Sequence, residues 1–374
     1  MFTNKLTIKD ALEYTLDKKK TQQNEITKLQ NIHTKLSSKL PINIIREKPV
    51  IIEKPIIIQQ EKTHVIENID IKKLHLKNIK IIHNVYQEFY IENKKPTGFG
   101  DFIRGCYFLL QFCHDYGFQP NIIVRHPIAL FLKNFSQNYN KKMLDNIPFF
   151  FENNLLNAEL DSNNYIIYFV NNNYSCINKF ITYLSELNIS NQALFTYNIM
   201  FPYNKNIINE HKLYIRSVLE PTEEMNKYIY NTLSSINLFK NTYSVIHVRC
   251  GDDYLIKNMS KITILYFKKI INELSVIINN HPTLNFLLIA DNNKIKYFIL
   301  QKFSNIKTLF NDITHIGEGL LDKSTIKNTL LEFYLLSYSN SIFSFTCYPH
   351  GTGFSYWCAQ TYNIPYKCKH IPLT

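Results

Sequence analysis

Glycine is scarce in this chain, with nine in 374 residues, and tryptophan occurs once. No stretch of about 18 uninterrupted apolar residues exists, which argues against a membrane-spanning helix. The seven cysteines (106, 113, 176, 250, 347, 358 and 368) are scattered, odd in number and never spaced as CxxC. Structural zinc and a disulfide framework therefore lack support, and a reducing compartment is expected. The first residues, Met1-Phe2-Thr3-Asn4-Lys5, carry no apolar secretory core. Apolar residues nevertheless make up 45% of the chain and charged residues 19%, which excludes wholesale disorder. The length suits two domains of roughly 150 residues plus an extension.

Positive charge is unevenly placed. The chain carries 42 Lys and Arg against 30 Asp and Glu, a net of +12. Residues 1–80 hold 16 basic and 9 acidic residues, so most of the excess sits there. Basic residues in that segment are interleaved with acids, and aromatics are sparse, so a nucleic-acid or anionic-surface binder ranks last among the readings. Within residues 1–75, Ile26, Leu29, Ile32, Leu36 and Leu40 follow helical spacing. They suit an amphipathic helix or short coiled coil, a route to an oligomer through residues 1–40, or else a solvated tail. Glu47-Lys48-Pro49 and Glu53-Lys54-Pro55 then mark an extended linker or an added edge strand, because each proline disfavours helix in the residue before it.

From residue 79 short apolar runs alternate with helical periods. Strands are expected at 79–86, 121–125, 164–170 and 194–200, with helices near 101–117, 128–135 and 177–188 between them. A second series runs helix 221–236, strand 243–249, helix 263–279, strand 285–290, helix 293–303 and strand 306–310. It continues with helix 325–338, strand 341–345 and helix 352–362. This alternation predicts two α/β domains, at 76–220 and 221–374, each with a parallel sheet. Ligands in such sheets bind beyond the carboxyl ends of the strands.

Eight of the nine glycines cluster. Pro96-Thr97-Gly98-Phe99-Gly100-Asp101 opens a helix, as a ligand-facing loop or as a tight turn capped by Asp101. Ser244-Val245-Ile246-His247-Val248-Arg249-Cys250-Gly251-Asp252-Asp253 ends an apolar strand. His247 and Arg249 are two apart and share a strand face. Arginine offers a planar fork for phosphate oxygens. His315-Ile316-Gly317-Glu318-Gly319 reads as a surface loop. His350-Gly351-Thr352-Gly353-Phe354-Ser355-Tyr356-Trp357 follows a strand and starts a helix, where the N–H groups of Thr352, Gly353 and Phe354 suit a diphosphate. Asp291 ends another strand, where its carboxylate can accept from a ribose or base, or cap the following helix.

Taken together, these strings resemble the GDP-fucose-dependent fucosyltransferase superfamily of α1,2-, α1,6- and protein O-fucosyltransferases. His247-Val248-Arg249-Cys250-Gly251-Asp252 is similar to its HxRxGD-type motif. Gly98 to Asp101, the strand ending at Asp291, the segment with Glu332 and the Gly351–Trp357 string look like its other pieces, in the same order over residues 80–374. The resemblance implies a GT-B architecture, two Rossmann-like domains facing a cleft, here with an N-terminal extension. It implies inverting fucosyl transfer from GDP-fucose to a glycan or protein hydroxyl, with no cofactor and no essential metal. By position, Arg249 would stabilise the departing GDP and His247 would support the diphosphate or sugar. Gly251 and Asp252 would belong to the same donor loop. Asp291 would contact the nucleoside, and Thr352, Gly353, Phe354 and Ser355 would cradle phosphate. Gly98, Gly100 and Asp101 would line the cleft from the other domain. Asp101 would then be either the general base for an acceptor hydroxyl or a helix cap.

Relatives often carry a second basic residue where Cys250 stands, which removes one expected phosphate contact. That substitution motivates a different reading, a catalytically inactive sugar- or protein-binding module, alongside a transferase using another nucleotide sugar. The Asn-, Ile-, Lys- and Tyr-rich composition fits an AT-rich genome, and a cytoplasmic, virus-like setting is expected.

Overall fold

The computed structural model describes residues 81–87, 97–136, 149–150, 167–170, 193–198, 200–250, 264–317 and 322–372. The chain divides into the units Met1–Pro55 and Ile56–Thr374, and every described residue belongs to the second. The expectations for residues 1–75, for the helix at 177–188 and for Gly251 and Asp252 lie outside the described residues.

The described strands form two parallel sheets of five. The first contains β1 (Ile81–Gln87), β2 (Gln119–Arg125), β3 (Phe149–Phe150), β4 (Ile167–Val170) and β5 (Ala193–Asn198), ordered β2-β1-β5-β4-β3. The second contains β6 (Tyr243–Arg249), β7 (Asn285–Ala290), β8 (Lys307–Thr308), β9 (Ile342–Thr346) and β10 (Tyr366–His370), ordered β10-β9-β6-β7-β8. In the second sheet the chain first winds outward from β6 through β7 to β8. It then returns to the other side of β6 for β9 and β10. The crevice between the ends of β6 and β9 is thus a topological switch point, the usual ligand position in such sheets.

The helices are α1 (Phe99–Tyr116), α2 (Asn209–Val218), α3 (Glu223–Ser235), α4 (Ile264–Asn280), α5 (Asn293–Leu300), α6 (Lys323–Ser337) and α7 (Gly353–Tyr362), with a 3-10 turn at Pro127–Phe131. β6 is buried on both faces, as a central parallel strand requires. Its Tyr243 and Val245 enter one core with α3, α6 and α7, while Ile246, Val248 and Cys250 enter another with Tyr266 and Ile270 of α4 and Ile295 of α5. The first core continues into Tyr86 of β1 and Phe102, Ile103 and Tyr107 of α1. α1 is apolar almost all round, and a helix of that kind must be buried. Asp101 is its one residue before His114 that is not buried.

Several expectations need correction. Asp101 does not cap α1: the N-cap is Gly98, and Asp101 sits inside the first turn. Asp291 does not cap α5, because Asn292 does so by accepting from the Lys294 N–H at 2.7 Å. Within the 315–319 string expected on the surface, Ile316 and Gly317 are buried, and Glu318 and Gly319 lie outside the described residues. α2 and β10 were not anticipated from the pattern. α2 is mostly polar and turns only His211, Ile215 and Val218 inward. β10 is a sheet edge whose outward Lys367 and Lys369 read as polar, the composition that protects edges from further pairing.

Candidate active site

The end of β6 and the start of α7 are joined through buried polar atoms. His247 pairs in register with Ser344 of β9, and its Nδ1 lies 2.9 Å from Ser355 Oγ. Ser344 Oγ lies 3.5 Å from both of those atoms. His247 is 4% exposed and Ser355 is fully buried. Burial, and then the charges of Arg249 and Lys296, push the His247 imidazole down to about 3, so it is neutral near pH 7. These two residues therefore hold the first turn of α7 against the strand. Arg249, the next residue on the same face of β6, is half-buried at the crevice.

Asp291 acts on the same strand end. Its Oδ2 accepts the Cys250 backbone N–H at 3.0 Å, which fixes the chain as it leaves β6. The Cys250 thiol turns the other way, fully buried beside Tyr266, whose hydroxyl donates to it at 3.3 Å. By strand alternation this side chain faces the core under α4, not the crevice.

α7 begins at Gly353 after Gly351, whose φ of +82° is a left-handed conformation that favours glycine. The Thr352 hydroxyl is buried and has no hydrogen-bond partner among the described residues. α1 starts at the same place. A Cβ on Gly100 would lie 2.5 Å from the Gly353 carbonyl carbon and 2.6 Å from Phe354 N, so only glycine allows this crossing. Farther along, Tyr107 donates to Thr361 Oγ1 at 2.9 Å, and Phe99 meets Phe333 edge-on. Two helix N-termini thus meet, and the first N–H groups of a helix have no partner within the helix itself. Asp101 lies in this zone, its Oδ1 3.0 Å from Arg104 Nη1 and 3.7 Å from where a Gly353 Cβ would be. Arg104 in turn stacks over the Phe201 ring at 4.0 Å.

A third segment reaches the same zone. The loop from Leu309 to Gly317 is pinned from below by a buried ion pair. Lys296 Nζ lies 2.9 Å from Glu332 Oε1 and donates to the Leu309 carbonyl at 3.0 Å. Burial raises the Glu332 carboxyl, and the Lys296 charge opposes that shift. Thr329 accepts from Thr314 N and donates to Thr314 O, and Asn328 donates to Asp312 O. The result is that His315 arrives beside Gly98.

Of the residues expected to bind donor or to act in catalysis, Arg249, Asp291, Gly353, Phe354, Gly98 and Asp101 are half-buried, while His247, Thr352, Ser355 and Gly100 are buried. Sequence reasoning missed the position of His315, whose own string gave no sign of which loop it would meet. Among the described residues no three His, Cys, Asp or Glu side chains gather as a metal site. No described helix is long and apolar enough to cross a membrane.

No family model and no curated protein matches the chain in sequence. Similarities to solved structures are found at low identity. The chain is similar to fucosyltransferase NodZ from Bradyrhizobium at 10% identity and a TM-score of 0.44, over 75% of this chain and 92% of that one. It is similar to a FUT1 variant of Arabidopsis thaliana in complex with GDP at 10% identity and a TM-score of 0.48, over 81% and 74%. It is also similar to POFUT1 in its apo form at 8% identity and a TM-score of 0.40, over 78% and 97%.

Proposed function

We propose that the chain is a glycosyltransferase that moves a sugar from a nucleoside diphosphate to a hydroxyl acceptor. GDP-fucose is the donor that the motif resemblance implies, and inversion at the anomeric carbon is its stereochemistry. In this reading residues 76–220 and 221–374 are the two Rossmann-like halves of a GT-B enzyme. The single observation that carries it is Arg249, which ends β6 at the switch-point crevice beside the first turn of α7.

Breaking a sugar–phosphate bond leaves negative charge on the diphosphate. A guanidinium and helix-terminal N–H groups fixed in advance stabilise that charge as it grows. His247 and Ser355 supply the fixing: both are buried and joined, so α7 cannot shift relative to β6 without breaking their contact. The unpartnered Thr352 hydroxyl at the same helix end is a further group that a phosphate oxygen could satisfy. Asp291 holds the end of β6 at Cys250 and would border the nucleoside. Asp101 places a carboxylate on the acceptor side.

The test is a thermal-shift panel of GDP, GDP-fucose, GDP-mannose and UDP-sugars with EDTA present. The proposal expects stabilisation by GDP and GDP-fucose that Arg249→Ala abolishes. A folded protein that none of these nucleotides stabilises overturns it.

A further inference from the structure

Asp101, Arg104, Gln111 and Asp115 recur at helical spacing along one side of α1. The segment 201–204, which follows β5, is fastened along that side. Gln111 Nε2 donates to the Asn204 carbonyl at 2.7 Å, and its Oε1 accepts the Asn204 N–H at 3.2 Å. Tyr203 donates to Asp115 Oδ2 at 2.6 Å and meets the Phe108 ring edge-on. Toward the start of α1, the Arg104 guanidinium carbon lies 4.0 Å from the centre of the Phe201 ring. That ring is therefore laid on the helix by contacts spread over four turns.

A single exposed aromatic side chain is ordinary on a protein surface. Two features set Phe201 apart. Its ring is 40% exposed, while the Arg104 side chain that it covers is 9% exposed. The guanidinium thus takes the inner face of the ring, and the accessible area lies on the outer side. The second feature is the neighbouring charge. Arg104 Nη1 lies 3.0 Å from Asp101 Oδ1, on a side chain that is 42% exposed. That same oxygen is 3.7 Å from where a Gly353 Cβ would be, at the start of α7. Passing from α7 along α1, the surface offers first an accessible carboxylate and then, about one helical turn on, an accessible aromatic ring. Arg104 touches both and fixes their separation.

This pair of surfaces fits a pyranose. One side of a hexose ring is a flat array of C–H groups that packs on an aromatic ring, and its rim carries hydroxyls that bond to a carboxylate. One molecule satisfies both at once. A serine or threonine hydroxyl of a polypeptide stands on a short stem with no such face to lay on the ring. We propose that Phe201 is the platform for a carbohydrate acceptor, with the acceptor sugar on the outer face of the ring and its hydroxyls turned toward Asp101. This rests on the transferase reading above and names the class of acceptor that it leaves open.

The test uses the full chain loaded with GDP and the variants Phe201→Ala, Phe201→Leu and Phe201→Trp. The probes are di- and trisaccharides ending in galactose, glucose, mannose or N-acetylglucosamine, with serine- and threonine-containing peptides as the competing class. Binding is read by saturation-transfer NMR and titration, and turnover by GDP release from GDP-fucose. At least one saccharide should bind the wild type, with saturation carried to the C–H protons of one ring face. Phe201→Ala should weaken that saccharide about tenfold and raise its KM by a similar factor. Its melting temperature and affinity for GDP should not change. Phe201→Leu keeps an apolar cover over Arg104 without a flat face, and should weaken the saccharide nearly as much. Phe201→Trp should retain it. The inference is wrong, while the transferase reading stands, if GDP-loaded wild type binds peptides or none of the probes instead of a saccharide. It is equally wrong if Phe201→Ala and Phe201→Leu hold the saccharide as the wild type does. If the wild-type protein neither binds GDP nor releases it from GDP-fucose, the transferase reading fails first and takes the inference with it.

Discussion

The starts of α1 and α7 follow similar glycine loops and touch one another, yet they are built differently. The start of α7 is tied into its sheet by atoms that solvent hardly reaches, His247, Ser344 and Ser355. The start of α1 presents an ion pair to the crevice, with Asp101 partly exposed beside a nearly buried Arg104. The difference suits the two ends of a group transfer. Charge that builds on a leaving diphosphate is best met by groups that need no reorganisation. An incoming hydroxyl needs instead a reachable group that can take a proton.

The largest expected effect comes from attacking the buried ion pair that pins the 309–317 loop. Glu332→Ala strands the buried Lys296 charge and should cost about 3–5 kcal/mol in urea unfolding. Replacing both partners with apolar residues should cost much less than that single change. The two glycines of the α1 loop sharpen the contrast at smaller scale. Gly100→Ala drives a methyl into the Gly353–Phe354 peptide and should lose about 1–3 kcal/mol of stability. Gly98→Ala meets only ordinary contacts and should stay within about 0.5 kcal/mol of wild type. Equal losses at the two positions would contradict the distinction between a glycine pressed against neighbouring backbone and one with ordinary contacts.

The pH dependence of stability probes the buried side alone. His247 and His126 are pushed from 6.5 down to about 3 and about 4 by burial. Below about 6.5 the unfolded chain takes up protons that the folded state refuses. Their contribution is therefore complete above that pH and falls away as the pH drops toward 4. Unfolding free energies measured from pH 7.5 to 4.5 should decline, and His247→Asn should flatten the slope. Ser355→Ala, which removes one partner of that histidine, should cost about 1 kcal/mol.

Much of this architecture can be read from the sequence, because central parallel strands are apolar runs and their helices keep a helical period. The second sheet was legible strand by strand from Tyr243 to Phe345 for that reason. β10 was not, since its Tyr-Lys-Cys-Lys-His alternation is that of an edge, and α2 was not, since few of its residues face inward. The direction of Cys250 was available from the period of two that pairs His247 with Arg249. The meeting of His315 with Gly98 was not, because it depends on a loop path set by Lys296, Asn328 and Thr329, residues whose partners no local pattern reveals. Gly100 looked like a ligand-loop glycine, and only the crossing of two helices shows its packing role.

The central claim is that Arg249, held at the switch point, stabilises a departing nucleoside diphosphate. The most direct measurement compares wild type and Arg249→Ala for GDP binding and for GDP release from GDP-fucose, with EDTA present throughout. The account predicts that the variant folds normally, binds GDP more weakly and loses roughly 10²–10³ in kcat. Wild-type binding and turnover in a folded Arg249→Ala protein would contradict it.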